Sequence, residues 1–240
     1  VKFANANDDA NINNNKSLMK SLEISHYITS IYIFDSNSQL DFNAESRKWF
    51  LGESLKELSQ SWRHSGSRMI VDEGEPIKLI PKIAKLINAK FVAWNKGIEP
   101  YEIRRDFEVK NELQRLNINV LESLDHLLMN PSKIFTGNGN PYTVYGPFYK
   151  NLKSKLIYQN FKKFDLSDLK IVDLEQNIID NPLIRSSSEK LEKFVIKNKF
   201  IGKSSCPCKP GEKAAEKLLN NFLSSKKISN YEKARDFPAQ

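Results

Sequence analysis

The sequence predicts an α/β fold, a doubly wound parallel five-stranded sheet with helices on both faces. Three observations predict it. Short, nearly continuous apolar runs rich in β-branched and aromatic residues recur at 28–34, 69–71, 91–94 and 118–121, the pattern of strands covered on both sides. The stretches between them carry apolar residues at helical spacing. Strand and helix alternate in order, which calls for parallel pairing through right-handed crossovers. At 240 residues the chain can hold one large domain or one and a half average ones.

The elements follow in order. Val1-Lys2-Phe3 reads as the tail of a first strand. Asn and Asp then dominate as far as Asn15 and favour turns. A helix begins near Lys16 and uses Leu18, Met19, Leu22 and Ile24. Ile28 to Phe34 is the clearest strand, and Asp35 follows at its carboxyl end, where open α/β sheets bind ligands. A long helix over Ala44 to Arg63 faces Phe50, Leu51, Leu55, Leu58 and Trp62 inward, and Gly66 ends it. Met69 to Val71 form the next strand, closed by Asp72-Glu73-Gly74. Pro76 starts a helix running through Ile77, Leu79, Ile80, Ile83, Leu86 and Ile87; Pro81 within it marks a kink or the true start.

Phe91 to Trp94 form a strand that breaks at Asn95-Lys96-Gly97. Pro100 sits early in the next helix, where its missing N–H costs nothing. Ile103, Phe107 and Leu113 define the inward face of that helix, and Glu99, Tyr101 and Glu102 stand at the strand's carboxyl end. On spacing alone two readings of these carboxylates stay open: solvated or helix-capping groups of an ordinary βα connection, or ligand contacts. Ile118 to Leu121 form the last strand.

After Glu122 the pattern changes. Residues 134–150 are rich in Gly, Pro and aromatics and read as an ordered loop, a clasp in which Phe135, Tyr142, Tyr145, Phe148 and Tyr149 seek burial. Lys153 to Pro210 form a long connecting segment with short helices, one near Ser187 to Lys197. From Gly211 a helical stripe runs through Ala214, Ala215, Leu218, Leu219, Phe222 and Leu223, followed by Tyr231.

The net charge of +8 points to an acidic partner such as nucleic acid, although the lysines are spread along the chain. No G-x-G-x-x-G fingerprint supports a dinucleotide site. Cys206 and Cys208 read as reduced loop thiols, which fits a cytoplasmic chain. No apolar run is long enough to span a membrane. His26, His64 and His126 have no partners at metal or catalytic spacing. The first residue is Val, so the chain reads as a fragment.

Three stretches in order carry a resemblance. They are Trp94-Asn95 through Ile98-Glu99-Pro100-Tyr101 to Arg105-Asp106; Thr136-Gly137-Asn138-Gly139-Asn140-Pro141-Tyr142-Thr143-Val144-Tyr145-Gly146-Pro147-Phe148; and Pro210-Gly211-Glu212-Lys213-Ala214-Ala215 through Tyr231 to Arg235-Asp236-Phe237-Pro238-Ala239. Together they resemble the photolyase/cryptochrome family, and within it the microbial, cyanobacterial-like class I DNA photolyases. The segment from Lys153 to Cys208 matches poorly. At the amino terminus only Asp9, Ile12 and Asn15 align, and the family's arginines are missing.

The resemblance implies a Rossmann-like antenna domain over residues 1–125, an interdomain linker over 126–210, and the start of an all-α FAD-binding domain over 211–240. It implies light-driven repair of cyclobutane pyrimidine dimers in damaged DNA, a carbon–carbon lyase reaction in which reduced FAD supplies the electron, or alternatively a cryptochrome-like blue-light receptor. The part in hand would hold the antenna chromophore, act as a monomer, and by itself carry neither FAD nor repair activity. Tyr231 matches a tyrosine that contacts FAD. Glu102 matches a carboxylate that hydrogen-bonds the pterin ring in folate-type members, and Tyr101 and Asp35 complete the implied antenna site. Deazaflavin-type members usually carry Asp where Gly97 stands, yet the wording around it is closer to those members. The antenna is thus 5,10-methenyltetrahydrofolate or 8-hydroxy-5-deazaflavin, with folate favoured.

Overall fold

A computed structural model describes residues 2–4 (backbone only), 15–35, 44–125, 127, 129–156, 171–199, 209–224 and 229–234. Five parallel strands, β1 (Lys2–Ala4), β2 (Ser30–Phe34), β3 (Met69–Glu73), β4 (Phe91–Asn95) and β5 (Asn119–Ser123), pair in the order β3-β2-β1-β4-β5. The pairing is in register from Ser30 opposite Met69 to Phe34 opposite Glu73, and from Phe91 opposite Asn119 to Asn95 opposite Ser123. The chain reverses its winding direction beside β1, so the crevice beyond the carboxyl ends of β1 and β4 is the topological switch point.

Helices α1 (Lys16–Ile24), α2 (Glu45–His64), α3 (Pro76–Leu86) and α4 (Pro100–Arg115) connect the strands. Alternate strand residues feed two cores. On one face Ile31, Ile33, Ile70, Val92 and Trp94 pack with Ile80, Ile83 and Ala84 of α3 and Val109 and Leu113 of α4. On the other, Tyr32, Met69 and Val71 pack with Leu18 of α1 and Leu55, Leu58 and Trp62 of α2.

Helices α3 and α4 stop the same way. Asn88 and Asn117 take positive φ, 50° and 56°, directly after the last helical turns. Asn88 N–H donates to Lys85 C=O and Ala89 N–H to Ala84 C=O; Asn117 and Ile118 repeat the pair on Gln114 and Leu113. This is the double hydrogen bond of a Schellman end, with Asn in the place usually given to Gly. Each end turns the chain straight into the next strand. Pro76 occupies the first turn of α3, and Pro81 lies buried within the helix, which runs unbroken over Pro76–Leu86.

Several expectations shift on contact with the structure. On α4 the inward residues are Asp106, Val109 and Leu113, whereas Ile103 and Phe107 are 55% and 63% exposed. Ile24 and Phe50 are likewise exposed, and Ser17 and Ser21 take the inner face of α1. The 134–150 stretch becomes helical at α5 (Tyr145–Lys155), with Pro147 in its first turn; Phe135, Tyr145 and Tyr149 are exposed, whereas Tyr142 and Phe148 are half-buried. Tyr145 stacks on Tyr149 with centroids 5.8 Å apart and is 72% exposed.

The connecting segment holds α6 (Gln176–Ile179), α7 (Pro182–Arg185) and α8 (Ser187–Lys197). It packs on the sheet. Ile184 joins the α3–α4 core, and Ile171 and Leu191 join the α2 core. The segment therefore straddles the β3 edge, covering backbone that an open edge would expose. Arg68 clasps Asp173 with two bonds of 2.8 and 2.6 Å, and Lys190 reaches buried Asp72 at 2.6 Å. Phe194 stacks on Phe34 at 4.2 Å. Helices α9 (Glu212–Ser224) and α10 (Tyr231–Ala234) come last. Cys206 and Cys208, Asp9 and Ile12, His126 and the 235–239 stretch lie outside the described residues.

Candidate chromophore site at the carboxyl edge of the sheet

The site is built where β2 and β4 end. Asp35 is the residue after β2, and the 95–99 loop leads from β4 into the first turn of α4. Tyr101, at the second position of that turn, donates its phenol to Asp35 Oδ2 at 2.5 Å. The bond spans from β2 to α4 and so bridges the carboxyl end of β1, which lies between β2 and β4. Partial burial, and then the Asp35 carboxylate it serves, push the Tyr101 phenol well above its ordinary range. Tyr101 stays a neutral donor throughout the physiological range.

Glu102 closes the turn. Its Oε2 accepts from the backbone N–H groups of Ile98 at 3.1 Å and Glu99 at 3.3 Å, in a capping box at the head of α4. The helix-capping reading of this carboxylate is therefore realised. Oε1 of Glu102 accepts no hydrogen bond among the described residues, so one oxygen remains for a donor from outside. Gly97 lies directly against this side chain. A Cβ built on Gly97 would overlap the Glu102 Cβ and stand 2.9 Å from Oε2. Gly at 97 and Glu at 102 are thus sterically coupled.

Asp106 fixes the loop from below. Its Oδ2 accepts from Gly97 N–H at 2.9 Å, and its Oδ1 from Arg105 Nη2 at 2.8 Å and Nε at 3.1 Å. Burial raises the Asp106 carboxyl above its ordinary value, with the Arg105 charge and the Gly97 N–H opposing. Sequence reasoning passed Asp106 over. Its signal is a carboxylate one helical turn after Glu102 and one turn before Val109, on the face that turns out to be buried.

The head of α1, at the switch point, is already filled. Asn15 Oδ1 accepts from Leu18 N–H at 3.0 Å, Asn95 Oδ1 from Ser17 N–H at 3.3 Å, and Asp125 Oδ2 from Lys16 N–H at 3.2 Å. Asn95 Nδ2 also donates to Asp125 at 3.3 Å. A dinucleotide fold would seat a pyrophosphate on these donors. Here the chain's own carboxylate and amides answer them, in keeping with the missing glycine fingerprint.

The structure thus brings Asp35 and Tyr101 together, while the Glu102 side chain turns back onto the 97–99 loop. Tyr231, exposed on α10, makes no hydrogen bond or ion pair with them among the described residues. No group of three or more His, Cys, Asp or Glu side chains among the described residues is placed to hold a metal ion. No described helix is long and apolar enough to cross a membrane.

Residues 7–165 match the family model described as DNA photolyase. The chain is 36% identical over 199 residues to a deoxyribodipyrimidine photo-lyase of Synechococcus sp., an overlap of 82% of this chain and 39% of that protein. It is 26% identical over 236 residues to the deoxyribodipyrimidine photo-lyase of Agrobacterium fabrum, covering 97% and 46%. Among solved structures, the class III photolyase of Agrobacterium tumefaciens superposes with a TM-score of 0.74 at 22% identity, over 100% of this chain and 47% of that one. The cryptochrome of Synechocystis sp. does so with 0.76 at 19%, over 98% and 48%. At these identities the two superpositions establish the fold. The chain spans less than half the length of these relatives.

Proposed function

The chain belongs to the DNA photolyase family, and on that premise we propose that its α/β unit is the antenna domain of a light-driven DNA-repair enzyme. The antenna would sit at the carboxyl edge of the sheet, contacted by Glu102, Tyr101 and Asp35. The observation that carries this reading is the split use of the Glu102 carboxylate. Oε2 is occupied by the Ile98 and Glu99 N–H groups, so the side chain is held in place, and Oε1 is left as a fixed acceptor. A preorganised carboxylate suits a ring edge that presents N–H donors, as a pterin does. The residues present therefore fit the folate-type group. They fit the deazaflavin-type arrangement poorly, because a side chain at 97 would collide with Glu102. Bound there, the chromophore would absorb light and pass the excitation on. The protein's part is to hold the ring with Glu102 and to keep Tyr101 protonated.

The domain division goes with this reading: an antenna domain that starts in 1–125 and takes the 171–199 part of the 126–210 segment into its cores, and the opening of the FAD-binding domain at 211–240, with Tyr231 a contact to FAD. In the whole protein, reduced FAD would supply the electron that splits pyrimidine dimers in DNA. The relatives named photo-lyase that cover most of this chain favour repair over a photoreceptor role.

The test is reconstitution of the chain with 5,10-methenyltetrahydrofolate and, separately, with 8-hydroxy-5-deazaflavin, followed by gel filtration and absorption spectroscopy. Folate is expected to co-elute. Glu102→Gln retains an oxygen for the cap and removes the charge, so folate binding should weaken about tenfold or more. Unaltered folate binding in Glu102→Gln, or retention of the deazaflavin alone, overturns the assignment.

A further inference from the structure

The Pro210-Gly211-Glu212 stretch opens α9, and its geometry ties that helix to the sheet unit. The first N–H groups of a helix have no partner within it, and the preceding residue's side chain normally accepts from one of them. Here the preceding residue is Gly211, which has no side chain. The acceptor comes instead from the middle of α2: Lys213 N–H donates to Glu57 Oε1 at 3.1 Å. A carboxylate at this end of α9 also faces the positive pole of the helix dipole.

Two separate demands fall on Gly211. Its φ is +98°, a conformation L side chains seldom adopt. Glu57 also presses against it: a Cβ on Gly211 would stand 2.6 Å from the Glu57 carboxyl carbon and overlap Oε2. Gly211 is buried, whereas Leu218, Leu219 and Leu223 on the same helix are exposed. The sheet unit thus grips α9 by its first turn, while its apolar stripe stays outside.

We propose that Glu57 is a latch: it caps α9 in place of a side chain at 211 and so registers the helical region against the α/β unit. The capping contact stands on the geometry alone. Its consequence rests on the function proposed above, because there α9 opens the FAD-binding domain, and the latch fixes the separation between antenna and flavin.

The test is amide hydrogen exchange on the 240-residue chain, with Lys213 as reporter and Ile70 and Val92 as core controls. Glu57→Ala should speed exchange at Lys213 about fivefold to tenfold while the controls hold. Glu57→Gln, which keeps an acceptor oxygen, should fall between it and the wild type. Lys213 exchange unchanged in Glu57→Ala overturns the latch. If Glu57→Ala loosens the controls too, Glu57→Gln decides: faster exchange at Lys213 with the controls unchanged supports the latch, and an unchanged rate refutes it. In the longer protein carrying both chromophores, Glu57→Ala should also brighten antenna fluorescence by weakening transfer to the flavin. Faster Lys213 exchange with unchanged antenna fluorescence would leave the latch standing and refute the antenna role.

Discussion

Asp106 shows how one buried carboxylate can set the shape of a loop. It holds Gly97, Gly97 lies against Glu102, and Glu102 caps the loop in return. Asp106→Ala leaves the Gly97 N–H and the Arg105 guanidinium without their acceptor, at a cost of about 2 kcal/mol. Urea denaturation measures that loss. Asp106→Asn retains an acceptor for Gly97 and should cost less. The two also separate by pH. Burial raises the Asp106 carboxyl in the folded state above its unfolded value. Its contribution is therefore complete below the unfolded value and is lost as pH rises through the folded one. The stability difference between wild type and Asp106→Asn should shrink over that rise; a pH-independent difference would contradict the raised value. The placement of Asp35, Tyr101 and Glu102 at the carboxyl edge of the sheet was legible, because that edge is fixed by topology. Asp106 was not, since its role depends on a backbone N–H nine residues earlier that only the folded loop delivers.

Helix α4 illustrates the limit of periodicity at the level of an element. Ile103, Phe107 and Leu113 suggest one apolar face, but the buried face runs through Asp106, Val109 and Leu113. A one-residue change in the choice of face rotates a helix by about 100°. Here Val109 and Leu113 are the residues packed into the core, and the Gly97–Asp106 hydrogen bond satisfies the one polar side chain on the same face. Leu113→Ala should therefore cost about 2–5 kcal/mol, as core cavities usually do. Phe107→Ser should stay within about 0.5 kcal/mol. Thermal or urea unfolding of the two variants checks the contrast, and comparable losses would mean that the face is misassigned. The strands were readable because nearly continuous apolar runs have few alternatives. The Schellman ends at Asn88 and Asn117 were not read, because Asn in a loop and Asn with positive φ look alike in sequence.

For the whole molecule, the segment 171–199 decides where the folded unit ends. Its weak periodicity reads as a connector, because short helices contribute only one or two core residues each. Yet Ile171, Ile184 and Leu191 are buried in the two cores, and Arg68–Asp173 and Lys190–Asp72 pin the segment to strand β3 and its approach. Returning those three side chains to water forfeits roughly 5–9 kcal/mol. A domain of this size is stable by only about 5–15 kcal/mol. A chain cut to residues 1–125 also opens the β3 edge and leaves the Asp72 carboxylate without Lys190. It should therefore aggregate or bind a hydrophobic dye without a cooperative melt, whereas 1–199 should melt in one transition. Calorimetry and dye binding on the two truncations measure this directly. A cooperative melt of 1–125 at the temperature of the longer chain would show that the segment is an appendage. The opposite outcome would make it the closing strap of the α/β unit, with the true boundary after α8 and the Glu57–Gly211 contact as the first link to the helices beyond it.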